Sequence, residues 1–140
     1  MPANKNNKSI ELEIAVSFYD LDPMQIVWHG NYLKYMDDAR GVLFDSLGVD
    51  LFGLYEKTRH IYPIIKTAVK HVYPLRHKDV IICKATLVEA KYKIIVDFEI
   101  RLKSDAKICA RGRSEQVAVK MPEMEMLMMI PDEVRELLEK

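Results

Sequence analysis

Asp22 stands beside Pro23, and seven residues later His29 precedes Gly30 and Asn31, where an apolar-periodic helix begins. A carboxylate facing the start of a helix is a recurring way to attack a carbonyl. The carboxylate serves as base or nucleophile, and the free backbone N–H groups of the first turn hold the developing oxyanion. On residues alone Asp22 has a second reading, a turn aspartate bonding its own backbone next to proline. Asp20, two residues before it, reads as a turn former. His29 offers two groups: a backbone N–H at the helix start, and an imidazole able to polarise a carbonyl or assist a leaving group. The alternative for the imidazole is a capping or surface histidine.

Other chemistries find less support. No serine sits in a G-x-S-x-G elbow. No glycine-rich phosphate loop is present, and five glycines in the chain leave little to build one. His60, His71 and His77 lack ligand spacing with carboxylates or thiols, so no metal site is expected. Cys83 and Cys109 have no metal-type spacing and lie in apolar-alternating segments, which reads as two reduced, partly buried thiols.

The elements that must position Asp22 and His29 follow from periodicity. Residues 1–8 are polar and expected to be loose. From Ser9 to Tyr19 the chain alternates, with Ile10, Leu12, Ile14, Val16 and Phe18 on one face, which predicts a half-buried strand. From Asn31, a candidate N-cap, Tyr32, Leu33, Met36, Ala39, Arg40, Leu43, Phe44 and Leu47 recur at helical spacing until Gly48 supplies a C-cap signal. Residues 50–58 suggest a short second helix. Four strands follow: Ile61–Tyr73, Asp79–Ala90, Tyr92–Lys103 and Lys107–Lys120, read as an antiparallel meander. A short helix opens at Pro131. The methionine-rich run 121–131 is expected to fill core before lining a contact. A long apolar helix in so small a domain is most easily buried by a sheet wrapped around it.

With 140 residues and 21 basic against 21 acidic side chains, the chain reads as one domain, residues 9–140, with no basic excess to suggest nucleic acid. The polar N-terminus shows no apolar signal core, and no run approaches the roughly 18 apolar residues of a membrane span. A cytoplasmic protein without membrane association is expected.

The segment DLDPMQIVWHGNYLKYMDDAR, together with the order β, α, then four β, resembles the hotdog-fold acyl-CoA thioesterases of the 4-hydroxybenzoyl-CoA thioesterase type. That family carries an aspartate, often in a D-x-D-x-x-x-x-V run, then His or Tyr, then N-Y or a similar pair; here these are Asp20, Asp22, Val27, His29, Asn31 and Tyr32. The resemblance implies an α+β hotdog fold, an antiparallel sheet of about five strands wrapped around one long central helix. It implies Asp22 as the catalytic carboxylate, His29 as its catalytic companion through the backbone N–H, and Gly30 and Tyr32 among the substrate-binding residues. It implies no metal or organic cofactor, and a homodimer or homotetramer with the active site at the dimer interface. Coenzyme A needs cations at the pocket mouth. The family often takes them from the turn between two central strands and from the neighbouring subunit, which makes Lys91 and Lys93 the first candidates, with Arg76 and Lys78 behind them. The alternatives are an acyl-carrier-protein thioesterase, a hotdog dehydratase, a non-catalytic acyl-thioester binding module and a structural dimer. Asp22 before the helix favours the thioesterase.

Overall fold

The structure, a computed structural model, describes residues 8–140. Residues 1–7 of the segment expected to be loose lie outside the described residues, and Lys8 already accepts the Leu87 N–H at 2.7 Å.

The chain begins with β1 (Ser9–Ala15), then a 3₁₀ turn (Phe18–Asp20), the long helix α1 (Asn31–Ser46) and the short helix α2 (Leu51–Thr58). Strands β2 (His60–Ile61), β3 (Ile64–His71), β4 (Val80–Glu89), β5 (Ile94–Leu102), β6 (Ile108–Gln116), β7 (Val119–Lys120) and β8 (Glu125–Met126) follow, and α3 (Asp132–Glu139) closes the chain. Five strands form one antiparallel sheet in the order β1-β4-β5-β6-β3; β2, β7 and β8 form a small second sheet. The α+β expectation of about five strands and one long helix therefore holds.

Alternation explains which face of the large sheet is covered. Ile81, Cys83 and Ala85 of β4 and Ile94, Val96, Phe98 and Ile100 of β5 are all buried against α1, which turns Tyr35, Met36, Ala39 and Leu43 toward them. A Cβ at Gly112 of β6 would come within 2.8 Å of the Met36 side chain, so the glycine lets the helix approach the sheet closely.

Several boundaries differ from the sequence expectation. The first strand stops at Ala15, not Tyr19, because Ser17 and Asp20 close a tight turn, and Phe18 ends exposed. The expected strand 61–73 is two strands: Pro63 lacks an N–H to continue the ladder, so β2 pairs with β7 while β3 pairs with β6. The expected strand 107–120 likewise divides at Val117, whose N–H bonds the Pro63 carbonyl at 3.2 Å. The meander holds only for β4-β5-β6. β4 is already flanked by β1 and β5, so β3 crosses to the far edge. The methionines of 121–131 do not fill core: Met124, Met126 and Met128 project outward, while Leu127 packs on the core and Ile130 is buried in it. Asn31 is the first helical residue, and Gly30 holds the N-cap position.

Candidate active site

The Asp22 loop is a miniature hairpin. Leu21 bridges Val27, the Asp22 N–H donates to the Ile26 carbonyl at 2.8 Å, and the Gln25 N–H returns to the Asp22 carbonyl at 2.9 Å. Pro23 suits the turn because its φ is already fixed, and Gln25 takes a left-handed φ of 68° to close it. The Asp22 carboxylate caps this turn through Oδ1, which accepts the Met24 N–H at 2.8 Å. The bland role of a turn aspartate is therefore real. It uses one oxygen; Oδ2 has no protein partner among the described residues.

The loop then turns into α1. The Trp28 N–H donates to the Asp20 carbonyl at 2.9 Å, and the N–H groups of Asn31, Tyr32 and Leu33 close back on Trp28, His29 and Gly30. That leaves the N–H groups of His29 and Gly30 without a hydrogen-bond partner among the described residues. Two unpaired amides at the positive end of a 16-residue helix are suited to hold a developing oxyanion. Gly30 leaves room for the Trp28 ring at this corner: a Cβ there would lie 2.3 Å from the ring where it now stands.

Asp22, His29 and Tyr32 line one cavity of about 360 Å³, whose remaining walls are largely apolar and include Met24, Val27 and Tyr73. Tyr32 is buried, and burial, above all other influences, raises its hydroxyl pKa, so the ring enters the site neutral. His71, the last residue of β3, also lines this cavity and meets Tyr32 edge-on at 4.6 Å between ring centroids. Sequence reasoning missed His71, because it sought histidines at metal-ligand spacing. The available signal was its place at the end of a strand, just before Pro74.

Lys91 and Lys93 are not brought to this cavity within one protomer. Both lie at the β4–β5 turn, the end of the sheet opposite the one where Val80 leaves the Asp22 side. The nine residues of β5 separate the two ends by roughly 30 Å. Lys93 is already engaged by Glu115 at 2.9 Å, a bond that holds the Glu115 carboxyl below its ordinary pKa. Lys91 reaches over the Tyr92 ring. Arg76 and Lys78 sit nearer the Asp22 loop: their turn is tied to it by the Val27 N–H on the Leu75 carbonyl at 2.8 Å.

A larger hollow of about 690 Å³ lies on the outer face of the sheet, walled by Lys70, Lys84 and the ion pair of Arg113 with Asp97 at 2.6 Å. It offers no carboxylate beside free amides. The two cysteines are no alternative nucleophiles: both are buried, and burial pushes the Cys83 thiol up to about 12.

A family model described as the thioesterase-like superfamily matches residues 16–138. The chain belongs to this family. Among individual relatives, YneP of Bacillus subtilis, provisionally described as an acyl-CoA thioesterase, is 33% identical over 67 residues, 48% of this chain and 48% of that protein. The chain thus matches about half the length of YneP. The Synechocystis protein sll0410, provisionally described as an esterase, is 25% identical over 130 residues, covering 92% of this chain and 78% of that one. Among the solved structures that share the fold are two thioesterases. Slr0204, a 1,4-dihydroxy-2-naphthoyl-CoA thioesterase from Synechocystis, superposes with a TM-score of 0.85 at 18% identity, covering 94% of this chain and 96% of that one. The 4-hydroxybenzoyl-CoA thioesterase from Pseudomonas sp. strain CBS-3 gives 0.81 at 20% identity, covering 92% and 98%. The sheet-wrapped helix of this thioesterase-like chain is thus the hotdog fold.

Proposed function

We propose that this chain hydrolyses an acyl-CoA thioester to a free acid and coenzyme A. One observation carries the reading: Asp22, whose carboxylate keeps an uncommitted oxygen, and His29, whose backbone amide is unpaired among the described residues, line the same mainly apolar cavity, with the unpaired Gly30 amide next in the chain. The carboxylate supplies the nucleophile or base, the amides take the negative charge that forms on the carbonyl oxygen, and the apolar wall takes the acyl group. The thioesterase-like family and the two CoA-thioesterase folds support the same chemistry.

Two routes fit this geometry. In the first, Asp22 Oδ2 bonds the carbonyl carbon, the C–S bond breaks, and the thiolate leaves and takes a proton from water. Water then hydrolyses the resulting anhydride. In the second, Asp22 takes a proton from water as the hydroxide attacks the carbonyl, and the thiolate leaves with that proton. In both, the backbone N–H groups of His29 and Gly30 hold the oxyanion, and Tyr32 shapes the acyl wall.

The working unit in this reading is a homodimer. β3 is a sheet edge whose outward N–H and C=O groups are unpaired among the described residues, and Ile64 and Ile65 on it are exposed. Antiparallel pairing of β3 with its copy across a two-fold axis would cover that edge and set the Ile64 end of one protomer beside the His71 end of the other. Lys93 pairs with Glu115 at the Ile64 end, so Lys91 and Lys93 would approach the partner's Asp22 cavity, where the phosphates of coenzyme A need cations. Two unpaired buried thiols suit a reducing, cytoplasmic setting. No helix among the described residues is long and apolar enough to cross a membrane.

The test is a hydrolysis screen of the purified protein against short, long and aromatic acyl-CoAs and acyl-carrier proteins, monitoring thiol release. Turnover of at least one acyl-CoA is expected. Turnover confined to carrier-protein thioesters would move the substrate class, and no thiol release from any of them would end the reading.

A further inference from the structure

We infer that Asp20 is the positioning residue of this site: its buried carboxylate and its carbonyl lock the Asp22 loop, the His29–Gly30 corner and the first turn of α1 into one unit. The inference rests on the thioester-hydrolase reading of the Asp22 cavity and adds a residue that this reading does not require.

Asp20 is 3% exposed, an unusual place for a carboxylate unless it is fully bonded. Its Oδ2 accepts the Ser17 N–H at 3.1 Å and the Tyr35 hydroxyl at 2.8 Å, and its Oδ1 accepts Lys34 Nζ at 2.7 Å. Lys34 and Tyr35 belong to the first turns of α1, so the carboxylate ties the turn before the loop to the helix after it. The carbonyl of the same residue accepts the Asn31 side-chain amide at 2.8 Å and the Trp28 N–H at 2.9 Å, which fixes the chain on both sides of His29 and Gly30. One residue thus receives five hydrogen bonds from four other places in the chain and the turn it closes. Two residues further on stands Asp22. What these bonds hold constant is the offset between the Asp22 carboxylate and the two free amides, the offset on which both hydrolytic routes depend. A misplacement of about 1 Å in such a pair costs up to roughly a hundredfold in rate. A turn former needs none of this helix bonding; an exposed salt bridge would not be so enclosed.

The test compares the full-length wild type with Asp20→Asn and Tyr35→Phe by steady-state kinetics on an acyl-CoA and by amide hydrogen exchange. Asn keeps the volume but loses the anionic acceptor for Lys34 and Tyr35. The expected result is a kcat about tenfold to a hundredfold lower with KM changed less than about threefold. Amide exchange should quicken across residues 28–33 while that of β4 and β5 is unchanged. Tyr35→Phe removes one of the bonds and should show the same pattern more weakly, so it decides the matter if Asp20→Asn does not fold. A kcat within about twofold of wild type in both variants, or a rate loss accompanied by faster exchange throughout the sheet, would overturn the positioning role. If the wild type cleaves no thioester, the hydrolase reading fails by itself. The exchange pattern then decides for or against the lock.

Discussion

Asp20 and Asp22 look alike in the sequence and do opposite things in the fold. Asp22 stays half-buried at a cavity wall with one oxygen spent on Met24. Asp20 goes inside and spends both oxygens on the frame. The spacing of Asp22 from the helix start was readable because a turn and a helical period are local signals. The burial of Asp20 was not, because its partners Lys34 and Tyr35 touch it in space but lie fourteen or fifteen residues away in sequence. His71 escaped notice for the same reason: only the register of β3 brings it against Tyr32. The Asp20 environment has a pH consequence. Burial alone would raise its pKa, but the bonds from Lys34, Ser17 and Tyr35 outweigh it and hold the carboxyl below its ordinary 3.8. A folded-state pKa below the unfolded value gives stability that is present above the unfolded pKa and lost as pH falls through the folded one. The wild type should therefore exceed Asp20→Asn in Tm by a constant margin near neutral pH, and that margin should shrink as pH falls below 3.8. Thermal melts of both proteins across the acid range check this; a margin that widens toward acid would contradict it.

At the scale of elements, α1 and β5 were legible because their apolar residues recur at clean periods over long stretches, and β1 was legible until Ser17 turned it away. The position of β3 was not legible, since period predicts a strand but not its neighbour. Its far-edge place follows from β4 being flanked on both sides already. The corner between the Asp22 loop and α1 depends on a missing side chain. A Cβ at Gly30 would stand 2.3 Å from the half-exposed Trp28 ring, and ring and methyl cannot both keep their places. Gly30→Ala should therefore push the indole outward. Trp28 is the only tryptophan of the chain, so its emission reports the change directly. A red shift with a fall in kcat of about tenfold is expected, because Trp28 and the free amides of His29 and Gly30 share that corner. Unchanged emission would show that the corner tolerates the methyl by another movement.

At the scale of the molecule, one protomer holds the carboxylate and amides at one end of the sheet and its first-choice lysines at the other. The sequence could name both sets but not their separation, which is the length of β5. The proposed two-fold pairing of β3 edges would resolve the separation by assigning the lysines to the partner's cavity. Lys91→Ala combined with Lys93→Ala should then raise KM for an acyl-CoA and leave kcat nearly unchanged. The effect should shrink in high salt and vanish on an acyl-pantetheine, which lacks the nucleotide. An equal loss on that truncated substrate would place the lysines in folding or assembly instead. In the proposed hydrolysis the Asp22 carboxylate does the chemistry. The most direct measurement is single-turnover thiol release from an acyl-CoA by wild type and by Asp22→Asn, each at saturating enzyme. Asn keeps the turn and can still accept the Met24 N–H through its carbonyl oxygen, but it is neither an anionic base nor a carboxylate nucleophile. The expected rate is lower by about a hundredfold or more with the fold intact. A folded Asp22→Asn protein that releases thiol at the wild-type rate would contradict it.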